Sequence, residues 1–138
     1  MRKYWLISLL FLALAGAYYG YRQYNKPHQD LQEVKADYSI APEVWIQEFD
    51  ADETAALNKY LNKVIEVNGE ISEIQTVEGK TIWILSTGNP LSNIQCEMDP
   101  RFVGQVGPVQ TGSKVTVQGI CSGKLMDVVL NQAVCKKP

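Results

Sequence analysis

Residues 63–74, Lys-Val-Ile-Glu-Val-Asn-Gly-Glu-Ile-Ser-Glu-Ile, decide the fold of this chain. One side of this stretch carries, in strict alternation, Ile65, Val67, Gly69 and Ile71. Ile74 then appears out of phase. Alternation is typical of a strand with one buried face, and a slip in its phase indicates a β-bulge. Because a glycine inside a strand permits a kink or a close approach, the stretch predicts a long and strongly bent first strand.

Four later stretches also have strand-like sequences, separated by turn residues: 81–87, 94–98, 114–121 and 127–135. Residues 99–113 contain two prolines and three glycines, which is too broken for a full helix. Five strands, a bent first strand and a loose crossing between the third and fourth predict a five-stranded Greek-key barrel of the OB type. The fold class is therefore mainly β.

The residues before the barrel predict one or two amphipathic helices between about 41 and 61. Ser39 is a cap residue, Pro42 suits the first turn, and Glu43 favours a helix N-terminus. Residues 50–53 carry three acids and indicate a break and a restart. We expect residues 39–138 to form one domain of helix plus barrel.

The first 24 residues predict a transmembrane signal-anchor. Residues 4–21 carry no charge, and as a helix they would measure about 27 Å, close to the hydrocarbon thickness of a bilayer. Ala15-Gly16-Ala17 would also suit signal-peptide cleavage. Retention is favoured by Tyr18, Tyr19, Tyr21 and Tyr24 together with Arg22 and Lys26, because they match an interfacial belt and a cationic stop. We expect a single pass, with the domain on the extracytoplasmic (periplasmic) side.

Residues 25–38 are polar, contain Pro27 and predict a linker off the membrane. His28, the only histidine, is expected to be a solvated linker residue, because one imidazole beside Asp30 does not complete a metal site. We therefore predict no metal site.

The charge distribution makes a polyanionic partner a poor expectation. The net charge is −2, and all 15 acidic residues lie after residue 27, whereas four of the 13 basic residues lie before it. An acidic domain repels a phosphate backbone at long range, so nucleic-acid binding is not favoured.

The three cysteines are Cys96, Cys121 and Cys135. An oxidising compartment would permit one disulfide, for which Cys121 and Cys135 are a candidate pair, and would leave one thiol over. The connectivity stays open, and all three could equally be small buried hydrophobic residues.

Four segments in this order carry a family resemblance: 59–69 (KYLNKVIEVNG), 94–99 (IQCEMD), 112–119 (GSKVTVQG) followed by Cys121, and 127–131 (DVVLN). Together the segments resemble the tRNA_anti-like family of small exported or membrane-attached OB-fold proteins, over about residues 37–135. The resemblance implies the fold and export more than an activity, because OB folds host many unrelated functions. It supplies no catalytic residues.

The barrel sequence lacks the parts of an enzyme. It has no histidine and no Cys-x-x-Cys pair, so we expect neither catalysis nor a cofactor. A haem-chaperone role would need a histidine near the end of the barrel, and the sequence has none there.

We expect instead a tethered binding or adaptor module that recognises an envelope protein segment or a glycan through its second and third strands and the nearby loops. The candidate ligand-binding residues are Lys80, Trp83, Asn89, Arg101 and Lys124. The alternative is single-stranded nucleic acid, read by Trp83 as a stacking platform with Lys80 and Lys124 beside it. Trp83 sits among isoleucines and leucine, which also favours a place in the core.

Overall fold

The computed structural model describes residues 2–25 and 30–136, and within them a closed barrel forms the centre. The strands are β1 (Tyr38–Ile40), β2 (Val64–Val77), β3 (Lys80–Leu85), β4 (Ile94–Met98), β5 (Lys114–Lys124) and β6 (Val128–Lys136). Their order in the sheet is β1-β2-β3-β4-β6-β5, and β2 also pairs with β5, which closes β2–β6 into a five-stranded barrel. The prediction of an OB-type barrel is confirmed.

Strand β2 closes the barrel because it is long and bent. Residues 64–70 pair with β5, and residues 71–77 pair with β3. The register shifts between Ile71 and Glu73, which confirms the bulge that the phase slip at Ile74 predicted. The turn into β3 places Glu78 at φ 50° and Gly79 at φ 79°, as a two-residue type I′ hairpin requires.

Four helices accompany the strands: α1 (Arg2–Tyr24), α2 (Pro42–Ala51), α3 (Glu53–Tyr60) and α4 (Pro100–Val103). Asp52 separates α2 from α3, and its carboxylate accepts a hydrogen bond from Ala55 N at 3.0 Å. The two helices bury three aromatic rings against the barrel core, with centroids 5.7–6.3 Å apart: Trp45, Phe49 and Tyr60. The predicted helical segment thus consists of two helices, α2 and α3.

Gly69 allows α2 to approach the barrel closely. A Cβ atom at this position would lie 3.0 Å from Pro42 Cγ in the first turn of α2. The close approach that the sequence predicted for this glycine is therefore the contact between helix and strand.

The segment before α2 packs on the outside of the barrel. Leu31 is fully buried in a small cluster with Val64 and Val134. The amide Nε2 of buried Gln118 donates to the carbonyl of Leu31 at 2.9 Å and to that of Val34. The side chain of Leu31 stabilises this attachment by removing apolar surface from water.

Further along the same segment, hydrogen bonds join it to β2. The Asp37 carboxylate accepts from Val64 N at 2.9 Å, and β1 pairs in parallel with β2. Residues 31–38 of the predicted linker are therefore part of the folded unit, which begins at Leu31 and not at residue 39. Residues 26–29, with Pro27 and His28, lie outside the described residues.

Helix α1 is the one helix in the described part of the chain that is long and apolar enough to cross a membrane. The span runs over Lys3–Tyr24 with a mean hydropathy of 1.3, and none of its apolar window is buried. Its 22 residues measure about 33 Å, against about 30 Å for a hydrocarbon core. The barrel core is thus built without α1.

The three cysteines are free and buried. Cys121 pairs with Leu130 across β5 and β6, so Cys135 lies five residues further along β6, about 16 Å away. Cys96 pairs with Leu130 from the other side, about 10 Å from Cys121. A disulfide needs Cα atoms within about 7 Å. The Cys121–Cys135 bridge considered from the sequence is therefore not formed, and each thiol serves as a small core residue.

Candidate functional site

The outer face of β3 and β4 is the part of the barrel with a distinct surface pattern. Trp83 and Leu85 point into the core, so the alternating residues Ile82 and Ile84 point outward. Directly paired residues lie on the same side of a sheet. Pairing across β2, β3, β4 and β6 places on this face Glu73, Gln75, Ile82, Ile84, Gln95, Glu97 and Val129. We call this set the outer β3–β4 face.

The outer β3–β4 face is apolar at its centre and acidic at its margin. Ile84 is 9% exposed and Ile82 is half-buried. Gln75 Nε2 donates to Glu73 Oε1 at 2.9 Å, and Glu97 forms an ion pair with Lys80 Nζ at 2.7 Å. The hydrogen bond to Glu97 raises the pKa of Lys80. This cation is thereby already engaged by a carboxylate.

A groove of about 320 Å³ lies at the end of this face where β3 begins and β4 ends. Its lining residues are Lys80, Glu97, Met98, Asp99, Pro100, Arg101 and Gln132. Asp99 is 5% exposed and caps α4 by accepting from Arg101 N at 3.0 Å. Arg101 Nε donates to both carboxylate oxygens of Asp99, at 3.0 and 3.1 Å. The groove thus has apolar walls, and its charged side chains are already paired with each other.

Charge pairing at this groove fixes the guanidinium of Arg101. The hydrogen bond to Asp99 raises the pKa of Arg101, so its charge is permanent. Because the partner carboxylate is buried, the pair is less screened than an ion pair on an open surface. The chemistry available here is hydrogen bonding and shape recognition.

The structure brings two of the five predicted binding residues together, since Lys80 and Arg101 both line the groove. Trp83 is 3% exposed and belongs to the core. The Oδ1 atom of Asn89 accepts from Leu91 N at 2.9 Å and stabilises the β3–β4 connection, at the other end of the strands. Lys124 is bound to Asp50 on α2, Nζ to Oδ1 at 2.6 Å, and its side chain is 13% exposed.

Sequence reasoning missed five residues that form the outer β3–β4 face or line the groove: Ile82, Ile84, Glu97, Asp99 and Gln132. Alternation about Trp83 is the signal that could have found the two isoleucines, because a buried Trp83 forces both neighbours outward. No local signal marks Gln132, which has φ 51° and reaches the groove through the pairing of β6 with β4.

Neither a metal site nor a reactive thiol is found in the described residues. No group of three or more His, Cys, Asp or Glu side chains among residues 2–25 and 30–136 is placed to hold a metal ion. Burial raises the pKa of the thiols of Cys96, Cys121 and Cys135, so they are protonated at neutral pH.

An OB barrel with a capping helix pair, preceded by an apolar helix, defines an OB-fold domain protein with a nucleic-acid-binding-like fold. More specifically, the chain belongs to the tRNA_anti-like family, whose model matches residues 1–134. The family predicted from the four sequence segments is confirmed. No curated protein matches the chain.

A solved structure supports the fold. A protein from Klebsiella pneumoniae subsp. pneumoniae MGH 78578, described as a "putative nucleic acid-binding lipoprotein", matches with TM-score 0.60 and 19% identity over 72% of this chain and 92% of its own. A structure from Leishmania major Friedlin, described as a "putative aspartyl-tRNA synthetase", has TM-score 0.45 and 11% identity, over 91% of this chain and 27% of its own. At 19% identity the likeness to the Klebsiella structure concerns the fold alone.

Proposed function

We propose that this protein is a non-catalytic binding module, tethered to a membrane by α1, which holds a protein segment against its outer β3–β4 face on the extracytoplasmic side. The observation that carries the proposal is the pattern of that face: half-buried Ile82 beside buried Ile84 at its centre, amides next to them and carboxylates at the margin. An apolar centre with a polar rim is the usual anatomy of a protein interface.

The same face argues against single-stranded nucleic acid. OB folds bind single strands with aromatic side chains on these strands and with a cationic track for the backbone. Among the described outward residues of β3 and β4 there is no aromatic side chain, and the one cation there, Lys80, is paired with Glu97. A glycan would also lose the aromatic stacking surface on which such barrels commonly rely. A protein segment needs neither feature.

The proposed tether is supported by the sequence at the end of α1. The helix carries tyrosines in its last turns and Arg22 beyond the apolar window, which favours a retained anchor over a cleaved signal. The description of the Klebsiella structure as a lipoprotein supports an envelope location.

A binding role without catalysis is supported by the residues that are present. The only histidine, His28, precedes the barrel in the sequence, and the cysteine thiols are buried and protonated. The charged pairs at the groove are occupied with each other. Acyl or phosphoryl transfer would require a nucleophile beside a base, and these side chains do not form such a pair.

Site-specific photo-crosslinking in intact cells tests the proposal. A benzophenone amino acid at Ile82 should capture an envelope protein, whereas the same group at exposed Asn68 should not, because Asn68 lies where β2 pairs with β5, across the barrel. Equal adducts at both positions, or none at Ile82, would contradict the proposed face.

Nucleic-acid binding remains the alternative outcome and has its own measurement. We expect fluorescence anisotropy with single-stranded DNA and RNA oligonucleotides to show no binding at micromolar protein concentrations. Micromolar affinity that falls steeply with salt, and falls further for Lys80→Glu, would replace the protein-segment proposal.

A further inference from the structure

Three large apolar side chains project from the end of the barrel opposite the groove. Leu91 is 82% exposed, Leu125 is 93% exposed and Met126 is 79% exposed. Leu91 belongs to the β3–β4 connection and the other two to the β5–β6 turn. Single exposed apolar residues are ordinary on protein surfaces, but three together on neighbouring loops form a patch that needs an explanation.

Hydrogen bonds hold these two loops together as one unit. Ser92 Oγ donates to the carbonyl of Met126 at 3.0 Å, and Asn93 N donates to Asp127 Oδ1 at 2.7 Å. Val128 N returns a bond to the carbonyl of Asn93 at 3.0 Å. The loops are therefore fixed side by side while their apolar side chains stay outside. We call residues 88–93 together with 125–126 the apolar tip.

The apolar tip carries no charge of its own. The sequence Gly-Asn-Pro-Leu-Ser-Asn of residues 88–93 and the pair Leu125-Met126 contain no ionisable side chain. The nearest cation, Lys124, is held by Asp50. The Asp127 carboxylate, which follows Met126, is engaged by Asn93 N and by Gln95 Nε2. A surface of this kind suits the boundary between lipid headgroups and acyl chains, where apolar side chains gain from burial.

The anchor brings this tip within reach of the bilayer. Seven residue steps separate Tyr24, the end of α1, from Leu31, and they span at most about 25 Å. Leu31 is bonded to Gln118, which lies six residues before Lys124 along β5, or about 20 Å from the tip along the strand. A barrel standing on its apolar tip therefore satisfies the length of its own tether.

We propose that the apolar tip inserts into the interfacial layer of the same membrane that α1 crosses, so that the barrel stands on the bilayer with its groove facing away. The inference rests on the proposed function, because it needs α1 to be retained. Tethering by α1 keeps the tip near lipid at a high effective concentration, so three apolar side chains suffice for insertion. Since the tip is uncharged, insertion does not depend on anionic lipid.

Lipid-depth quenching on the full-length chain tests the insertion. An environment-sensitive fluorophore is attached to Leu125→Cys, or to the matched control Gln110→Cys, which is exposed near the opposite end of β5. The three native thiols are buried and react slowly. In phosphatidylcholine vesicles with doxyl-labelled lipid, emission at position 125 should fall roughly twofold, and emission at position 110 should not change. Adding phosphatidylglycerol should leave this difference unaltered.

A variant with a charged tip tests whether the attached fluorophore alone causes the insertion. Leu91→Asp with Met126→Asp, both exposed and outside the core, should abolish quenching at position 125. Quenching that persists in this variant, or equal quenching at positions 110 and 125, overturns the insertion. Alkaline extraction of the same vesicles reports on α1 separately. Release of the chain refutes the anchor, whereas a retained chain with an unquenched label at position 125 refutes only the tip.

Discussion

Replacing Trp83 with alanine separates the two roles that this side chain could have, a stacking platform for a ligand or a part of the core. Trp83 is 3% exposed and packs with the largest buried cluster of the barrel. If it is core, its removal must destabilise the domain whether or not a ligand is present. If it is a platform, stability should hardly change.

The expected magnitude is set by its burial. Truncating a buried tryptophan to alanine costs about 3–5 kcal/mol, because apolar burial is lost and a cavity remains. A domain of this size has a free energy of unfolding of about 5–15 kcal/mol. With a urea dependence of about 2 kcal/mol per molar, the midpoint of unfolding should fall by about 2 M.

Urea unfolding of residues 30–138, followed by circular dichroism, measures this shift. Helix α1 can be left out because none of its apolar window is buried. Ile82→Ala is the matched control, since Ile82 is the neighbouring residue on the outer face and half-buried, and it should cost only about 1 kcal/mol. A Trp83→Ala midpoint within about 0.5 M of the parent domain, no lower than that of Ile82→Ala, would refute the core assignment.

Three further predictions concern charge, thiols and packing. The hydrogen bond from Tyr60, together with Lys59, lowers the pKa of the Glu48 carboxyl. The stability that the Glu48 carboxylate contributes is therefore present above the ordinary glutamate pKa and is lost as the pH falls through the lowered pKa. NMR titration should show a higher pKa of Glu48 in Tyr60→Phe, and an unchanged pKa would contradict this effect. The buried cysteines should react with a thiol reagent at least tenfold faster in urea than in buffer, and fast labelling in buffer would argue against their burial in the core. Gly119→Ala would place a Cβ atom 3.1–3.3 Å from two Cβ atoms and a carbonyl oxygen of β6, so it should cost about 1–3 kcal/mol in thermal unfolding, and an unchanged melting temperature would exclude that crowding.

The barrel could be predicted because its signals are local. Alternation located the strands, the slip at Ile74 located the bulge, and the glycine and proline content of residues 99–113 excluded a long helix there. The structure has only the four-residue α4 in that connection. These features depend on neighbours in sequence, so a single chain reveals them.

The attached segment and the site depend on distant neighbours. Leu31 looks like a solitary apolar residue in a polar stretch until Gln118, 87 residues later, binds its carbonyl. Lys80 and Arg101 share a groove only because β3 and β4 are antiparallel and α4 follows directly. Lys124 was expected on that same face, but its partner is Asp50 on α2. Charge pairing across the fold leaves no trace in local periodicity.

The attachment of residues 31–40 also has a mechanical consequence. Any pull that α1 transmits to the barrel arrives first at Leu31 and Gln118, and only afterwards at Asp37 and the three paired residues of β1. Because β1 runs parallel to β2, a pull along the strand loads these bonds together and does not open them one by one. The contacts of this segment are therefore loaded before a force from α1 reaches the closed barrel.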